Sequence, residues 1–502
     1  MCGVGFVISN NQNLINSFCE KINESQLNRG PDNQEYKVYN NLGICHQRLG
    51  IIGLDNKFNQ PYLHKNNIIS FNGEIYNFKL LAKKYSLSKN ALLSDTACLI
   101  ELIELMGIEK TVSLIDGMYS FGIYDINRKK IQLCTDNFGI KQLYFYYSEE
   151  ITLITSTINA IKDCLESLEI KLSIDQPTLD WQKSFNGSVP GHTHISEIKQ
   201  LRTNYIYEID LNEKDKKFKI KNFKKIKYFV YDKKDILDKN LNQASIADVE
   251  KGLLLSGGID STCLLCCTKN KNTKLESFII DNTPSESSGF SSQEIEYASH
   301  YSESMGIKRN IINKDQISSK DLKEIFKIID TPAEVTGALA LYLICKKIKL
   351  KNPGIRVLLS GVGADEIFFG YRGHLLAIFI GIIPKQLQSL FKYLIMILFK
   401  IIPKSYASFF RRASVIKNVL DAENSTKDAS LHAFAKMDEK SLNRWRECFP
   451  LFRTNKNYAV PKLYYERCFD YFLSQQHLPS YDRISMFFSI ELRVPFLQNR
   501  IK

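Results

Sequence analysis

The chain has 502 residues, 44% of them hydrophobic and 24% charged, the balance of a folded protein rather than a disordered one. That length exceeds one ordinary core, so two domains are expected. Much of the formal charge of +13 lies in the lysine-rich stretch 214–235, read as a solvated linker with a few strand residues. No zinc finger or RNA-binding aromatic motif accompanies it, so nucleic acid is not an expected partner.

The start, MCGVGFVISN, lacks the basic and apolar regions of a secretion signal, and the 12 cysteines are scattered. A reducing cytoplasm is the expected compartment. Cys263, Cys266 and Cys267 cluster, but no second pair completes a zinc site, so buried helix packing is expected for them. The most apolar stretch, 374–404, is broken by Pro384, Lys385, Gln386, Lys392 and Lys400. It reads as a helical hairpin packed in a core or as a partner-facing surface, with an interfacial membrane contact as the lesser alternative, because a membrane span needs roughly 20 apolar residues without such breaks.

In chain order, the first half carries short β-type runs: VGFVIS, NLGICHQRLGIIGL, NIISFNGEIY, YSFGIYD, KIQLCT and QLYFYY. One clear helix, near Ser94 to Met106, interrupts them. Antiparallel sheets with packed helices follow from that pattern. After the lysine-rich stretch, the runs GLLLS, LESFII and IRVLLS alternate with helical segments, STCLLCCTK and around Ser292 to Met305. This alternation predicts a parallel α/β sheet. From Tyr371 onward the pattern is mostly helical. Expected boundaries are 1–205 for the first domain, 206–240 for the linker and 241–502 for the second domain.

Cys2 follows the initiator methionine, whose removal would leave an α-amine within reach of the thiol as its general base. Alone, Cys2 is only a small residue at the start of a strand. It is followed by Arg29-Gly30-Pro31-Asp32, then by HQRLGIIGL with Arg48 and FNGEIYNF with Asn72, Gly73 and Glu74. SDTACLI with Asp95, DGMYSFGIYD and TDNFGIKQLYF complete the series. Taken singly, Asn72-Gly73 reads as a hairpin turn, Asp95 as a helix cap and Arg48 as a surface pair. The ordered set, from residue 2 to about 147, resembles class II glutamine amidotransferase domains, most closely those of glutamine-hydrolysing asparagine synthetases.

That resemblance implies an antiparallel αββα sandwich of the N-terminal-nucleophile type. Cys2 would attack the glutamine carboxamide, with Asn72 and the Gly73 backbone N–H as the oxyanion hole. Arg48 would pair with the glutamine α-carboxylate, Glu74 and Asp95 would hold its α-ammonium, and the backbone around Leu49 and Ile51 would line the pocket.

In the second half, Leu255-Ser256-Gly257-Gly258-Ile259-Asp260-Ser261 lies between an apolar strand and a helix, where backbone N–H groups can close around phosphate. The lysine of a Walker loop is absent. The run instead resembles the pyrophosphate loop of N-type ATP pyrophosphatases, which implies an adenine nucleotide α-hydrolase-like sheet. Ser360 and Gly361, in LLSGVGADEIFFGY, would approach the nucleotide, and Ile280 would line the adenine pocket. Asp260 and Asp365 would be Mg2+ ligands, since magnesium takes one or two carboxylates beside phosphate oxygens. YDRISMFFSIELRVPFL matches the family's signature at Asp482, Arg483, Ser485, Met486, Glu491 and Arg493, and buried ion pairs shaping the domain are its expected role.

Several positions depart from the family pattern: Asn28, Gly53, Gln142 and Ser156-Thr157 in the first half, and Val362 where an acidic residue is common. The chain ends five residues after Leu497, without the lysine-bearing segment that normally follows. The expected activity is glutamine-dependent asparagine synthesis from aspartate with release of AMP and pyrophosphate. The alternatives are amidation of another carboxylate, such as a sugar acid of a surface polysaccharide, or a nucleotide-binding partner with an incomplete synthetase half. Expected partners are glutamine, ATP and aspartate, with a homodimer as an option.

Overall fold

Strand β1 (Gly3–Ser9) shows how alternation builds the first half. Val4, Phe6 and Ile8 point to one face and Val7 to the other, and all are buried. A strand buried on both faces must be covered twice. The computed structural model, which describes residues 2–185, 188–212, 218–222, 241–268, 275–281, 291–313, 317–332, 336–371, 378, 382, 387 and 473–498, shows both coverings.

Eleven further strands follow in the first half: β2 (Asn33–Tyr39), β3 (Leu42–Arg48), β4 (Tyr62–His64), β5 (Asn67–Ile75), β6 (Gly117–Asp125), β7 (Lys130–Thr135), β8 (Tyr144–Tyr147), β9 (Ile151–Thr155), β10 (Ile198–Gln200), β11 (Tyr205–Asp210) and β12 (Phe218–Asn222). They form two antiparallel six-stranded sheets, ordered β10-β8-β9-β1-β3-β2 and β12-β11-β7-β6-β5-β4. Val4, Phe6 and Ile8 meet Ile68, Leu133 and Ile209 in the core between the sheets. Phe6 lies so close to Gly122 that a Cβ there would fall 2.3 Å from its ring. On the outer face of the first sheet, Val7 packs with Phe18, Ile22 and Ile161, from helices Gln12–Ser25 and Ile158–Glu166. Helices Phe78–Lys84, Asp95–Met106 and Ile108–Leu114 cover the second sheet. These layers are the expected αββα sandwich.

The second half contributes a five-stranded parallel sheet, ordered β15-β14-β13-β16-β17, from β13 (Glu250–Leu254), β14 (Leu275–Asp281), β15 (Lys308–Asn313), β16 (Ile355–Leu359) and β17 (Glu491–Arg493). Phe278, Leu358, Ile344, Ile484 and Leu492 belong to its buried core. Sandwich and parallel sheet form one unit, comprising Met1–Ser173, Ile195–Val362 and His477–Lys502. A second unit comprises Ile174–His194 and Gly363–Gln476, in which helices Gln176–Phe185 and Ala364–Phe368 are described. Most of the stretches 214–235 and 374–404, read above as linker and hairpin, lies outside the described residues. Among those described, no helix is long and apolar enough to cross a membrane.

Two readings of the sequence are corrected, and the hairpin-turn alternative for Asn72-Gly73 is excluded. Helix Gln12–Ser25 was not anticipated, although Ile15, Phe18, Cys19 and Ile22 have helical spacing and Asn11 caps its first turn. Asn72-Gly73 lies inside β5, paired with Ser120 and Tyr119, and makes no turn. Cys266 is exposed, with Cys263 and Cys267 half-buried, so the expected burial of this cluster fails because its helix turns one face outward.

The signature near the chain's end does form buried ion pairs, and they reach the sandwich. Asp482 pairs with Arg29 at 2.9 Å and with Lys141, which is fully buried. Arg483 pairs with Asp330 at 2.6 Å. Burial alone would raise the Asp482 carboxyl, but Arg29 and Lys141 bring it down to about 2. A lowered carboxylate stabilises the fold above its unfolded value and loses that contribution as pH falls toward 2. Asp482→Ala would strand two buried cations and is expected to cost about 3–5 kcal/mol in denaturant unfolding at neutral pH. A loss below about 1 kcal/mol would mean that the cations find other partners.

Candidate active site

The end of β3 and the middle of β5 bring distant motifs to Cys2, the residue before β1. The Cys2 backbone N–H donates to Asn72 Oδ1 at 3.0 Å. This fixes the Asn72 amide and leaves its Nδ2 buried without a partner. Gly73 has φ +148°, and a Cβ there would fall 2.1 Å from the Met118 carbonyl oxygen, so only glycine lets β5 lie this close to β6.

Beside these residues lies a cavity. Cys2, Arg48, Leu49, Ile51, Gly73, Glu74 and Asp95 all line it. Arg48 is buried, with its guanidinium donating to Asn59 Oδ1 at 2.6 Å and to the carbonyls of Asp55 and Gly53. It is therefore no surface pair. Nor does Asp95 cap its helix, since the Ser94 hydroxyl accepts from Ala97 N–H. Asp95 instead accepts from the backbone N–H groups of Ile75 at 3.1 Å and Thr96 at 2.8 Å.

Burial dominates the charges here. It raises Asp95 to about 6 against those two N–H groups. It also raises Glu74 well above the usual carboxylate range, with Asp95 adding to the rise and Arg493 opposing it. The Cys2 thiol is raised by burial and lowered by the amino-terminal charge, the Leu49 backbone N–H and Arg48. Such a thiol stays protonated until something beside it takes the proton.

Sequence reasoning missed part of this wall. Ser94, Thr96, Phe58 and Gln60 line the cavity, and Gln60 Oε1 accepts from the Phe71 N–H of β5 at 2.7 Å. Glu491 also lines it, from β17 in the second half. Its motif was visible, but its position in space was not. Asp248 braces the pocket loop from the same side, donating its N–H to the Ile51 carbonyl at 3.0 Å and accepting from Gly53 N–H at 3.1 Å.

The second constellation follows β13. The Ser261 hydroxyl donates to the Gly258 carbonyl at 3.1 Å and accepts from Ser256 N–H at 3.2 Å, closing the loop from Leu255 to the helix Ile259–Thr268. Gly257 has φ +83°, and a Cβ there would meet the Glu294 carbonyl oxygen at 2.2 Å. Gly361, after β16, reaches the same place, since its Cβ would lie 3.2 Å from that of Asp260. Ser360 Oγ accepts from Val362 N–H at 3.3 Å. Ile280 is half-buried in β14, the strand next to β13. Asp365 lies in the first turn of Ala364–Phe368, in the second unit.

No group of three or more His, Cys, Asp or Glu among the described residues could hold a metal. The half-buried Asp260 suits magnesium only beside phosphate oxygens, the form in which that ion is commonly held. Gly257→Ala is expected to destabilise the loop by roughly 1–3 kcal/mol in denaturant unfolding. An unchanged midpoint would show that the loop can give way around a methyl group.

Comparison with known proteins bears on both constellations. A glutamine amidotransferase domain matches residues 1–221, and asparagine synthase matches residues 233–501. The chain belongs to the asparagine synthase family. Glutamine-hydrolyzing asparagine synthetase 2 of Bacillus subtilis is 25% identical over 401 residues, 74% of this chain and 52% of that protein. Synthetase 1 of the same organism is 29% identical over 368 residues, 70% of this chain and 55% of that protein. Asparagine synthetase B of Escherichia coli is 26% identical over 369 residues, 68% of this chain and 59% of that protein. The chain thus spans about half the length of the Bacillus relatives.

Proposed function

We propose that the chain is a glutamine-dependent amide-forming ligase that activates a carboxylate with ATP. The observation that carries the reading is the Cys2–Asn72 pair. The asparagine oxygen holds the backbone nitrogen of Cys2, while its buried amide nitrogen stays free to donate.

With Met1 removed, that backbone nitrogen becomes the α-amine of Cys2 and can take the thiol proton. The Cys2 sulfur then attacks the glutamine carboxamide carbon. Asn72 Nδ2 and the Gly73 backbone N–H receive the developing oxyanion. The amide nitrogen leaves as ammonia with the proton returned to it, and water cleaves the thioester to glutamate. Arg48 holds the α-carboxylate, while Glu74 and Asp95 hold the α-ammonium, with the Leu49 and Ile51 backbone along the pocket wall.

In the second half, the loop Leu255–Ser261 with Ser360 and Gly361 binds ATP, and the Ile280 backbone lines the adenine. Asp260 is a candidate carboxylate for Mg2+, which would neutralise phosphate charge; Asp365, the other carboxylate the sequence pointed to, belongs to the second unit. An acceptor carboxylate oxygen attacks the α-phosphorus, pyrophosphate leaves, and ammonia displaces AMP to give the amide.

Aspartate, giving asparagine, is the leading acceptor. Val362 favours keeping a second one, such as a sugar acid, because it offers neither charge nor a side-chain hydrogen bond where an acidic residue is common. AMP and pyrophosphate release with ammonia should depend on aspartate. Release that needs a sugar acid instead would replace the acceptor, and no release with either would end the ligase reading.

Two variants test the first half. Cys2→Ala should abolish glutamine-dependent turnover and leave the ammonia-dependent reaction, and equal loss of both would overturn the assignment. Asn72→Asp keeps an acceptor for the Cys2 nitrogen but replaces the free donor, so kcat for glutamine hydrolysis should fall about 10²–10³-fold. A fall of less than about threefold would take Asn72 out of the oxyanion hole.

A further inference from the structure

Glu74 lies in the sandwich, yet the group that holds it comes from the far end of the chain. Arg493 Nη2 donates to Glu74 Oε2 at 3.1 Å. Its Nε pairs with Glu491, and its Nη1 donates to the carbonyls of Ala244 at 2.9 Å and Ile246 at 2.5 Å. The guanidinium also sits over the Tyr76 ring, 5.8 Å from its centroid. Arg493 is fully buried, and its backbone carbonyl accepts from Ser360 N–H at 2.9 Å, which anchors β17 beside β16. With one oxygen taken by Arg493, Glu74 Oε1 is left buried without a partner.

We propose that Arg493 is a positioning residue of the glutamine pocket, turning Glu74 so that its free oxygen meets the substrate's α-ammonium, and that Glu491 tempers this action. The inference rests on the glutaminase reading above and extends it: the amidotransferase half does not complete its own substrate site. Arg493 opposes the uptake of a proton by this carboxylate, which burial and Asp95 favour, and a neutral Glu74 holds an ammonium poorly.

The charges facing Glu74 fix the signs. Asp95, from its helix, and Glu491, from β17, push its protonation up; Arg493 and the amino-terminal charge at β1 push it down. Removing Arg493 therefore makes Glu74 protonate at higher pH. Removing the Glu491 charge does the reverse for Glu74, Asp95 and Cys2 alike, since Glu491 raises all three.

The test uses the full chain and glutamine hydrolysis. Arg493→Gln should raise the glutamine KM about tenfold, with the loss falling on KM more than on kcat. The acid limb of its kcat/KM profile should move up by about one pH unit. Arg493→Lys, which keeps the cation, should recover most of both. Glu491→Gln should move the acid limb to lower pH. If Arg493→Gln folds and shows wild-type KM and acid limb, the inference is wrong. If it does not fold, an acid limb in Glu491→Gln that stays put or moves up overturns it equally. Wild-type chain that hydrolyses no glutamine would instead remove the glutaminase reading itself.

Discussion

Asp482 is the charge on which the arrangement around Cys2 depends. It holds Arg29 and Lys141 together, and Arg29 Nε donates to the Cys2 carbonyl at 3.1 Å. The first residues of β1 are thus fixed by a carboxylate that arrives 480 positions later. Taking each ion out of water costs several kcal/mol, and such a cluster persists only when every member is paired. Here Asp482 faces two cations, and neighbouring Arg483 faces Asp330 and the Tyr144 hydroxyl. The pairing sets geometry more than stability: an apolar cluster of equal volume could hold the halves together but could not aim a hydrogen bond at Cys2.

The same economy governs β17. Three residues, Glu491 to Arg493, pair with β16 in parallel register, so Arg493 lies opposite Leu359, one step before the glycine turn at Ser360. Its main chain belongs to the sheet edge beside the turn at Ser360, and its side chain reaches Glu74 in the pocket of Cys2. A short strand can serve both because successive side chains point to opposite faces: Leu492 turns into the apolar core while Glu491 and Arg493 turn away from it.

Legibility in the sequence followed the range of the interactions. The loop Leu255–Ser261 was readable because its chemistry is local: the φ of Gly257, the hydroxyl of Ser261 and the following helix all fall within a few residues. The sandwich was readable from alternation and from the ordered motifs of the first 147 residues. Glu491 escaped because no local signal separates a carboxylate that pairs structurally from one that also faces a cavity. Asn72-Gly73 misled in isolation: the dipeptide favours hairpin turns, but its glycine is required by the approach of β6 to an extended strand. Helix Gln12–Ser25 had the right spacing but only a modest apolar face, and a polar sequence does not announce that it covers a sheet.

The pocket also carries an argument about charge. Glu74, Asp95 and Glu491 bring three buried carboxylates, against which Arg48 and Arg493 bring two guanidiniums. Arg48 is turned toward its own loop carbonyls, so at the far end Glu74 and Glu491 share Arg493, while Asp95 rests on backbone N–H groups. That imbalance, added to burial, is why Glu74 and Asp95 resist ionisation. An α-ammonium entering there supplies the missing cation, and each carboxylate it touches becomes easier to ionise. On the proposed function, the substrate's own charge would complete the site, while an uncharged amide of the same size would leave Glu74 Oε1 unpaired. Discrimination of this kind is strong, because a buried polar atom left without a partner costs about 1–3 kcal/mol.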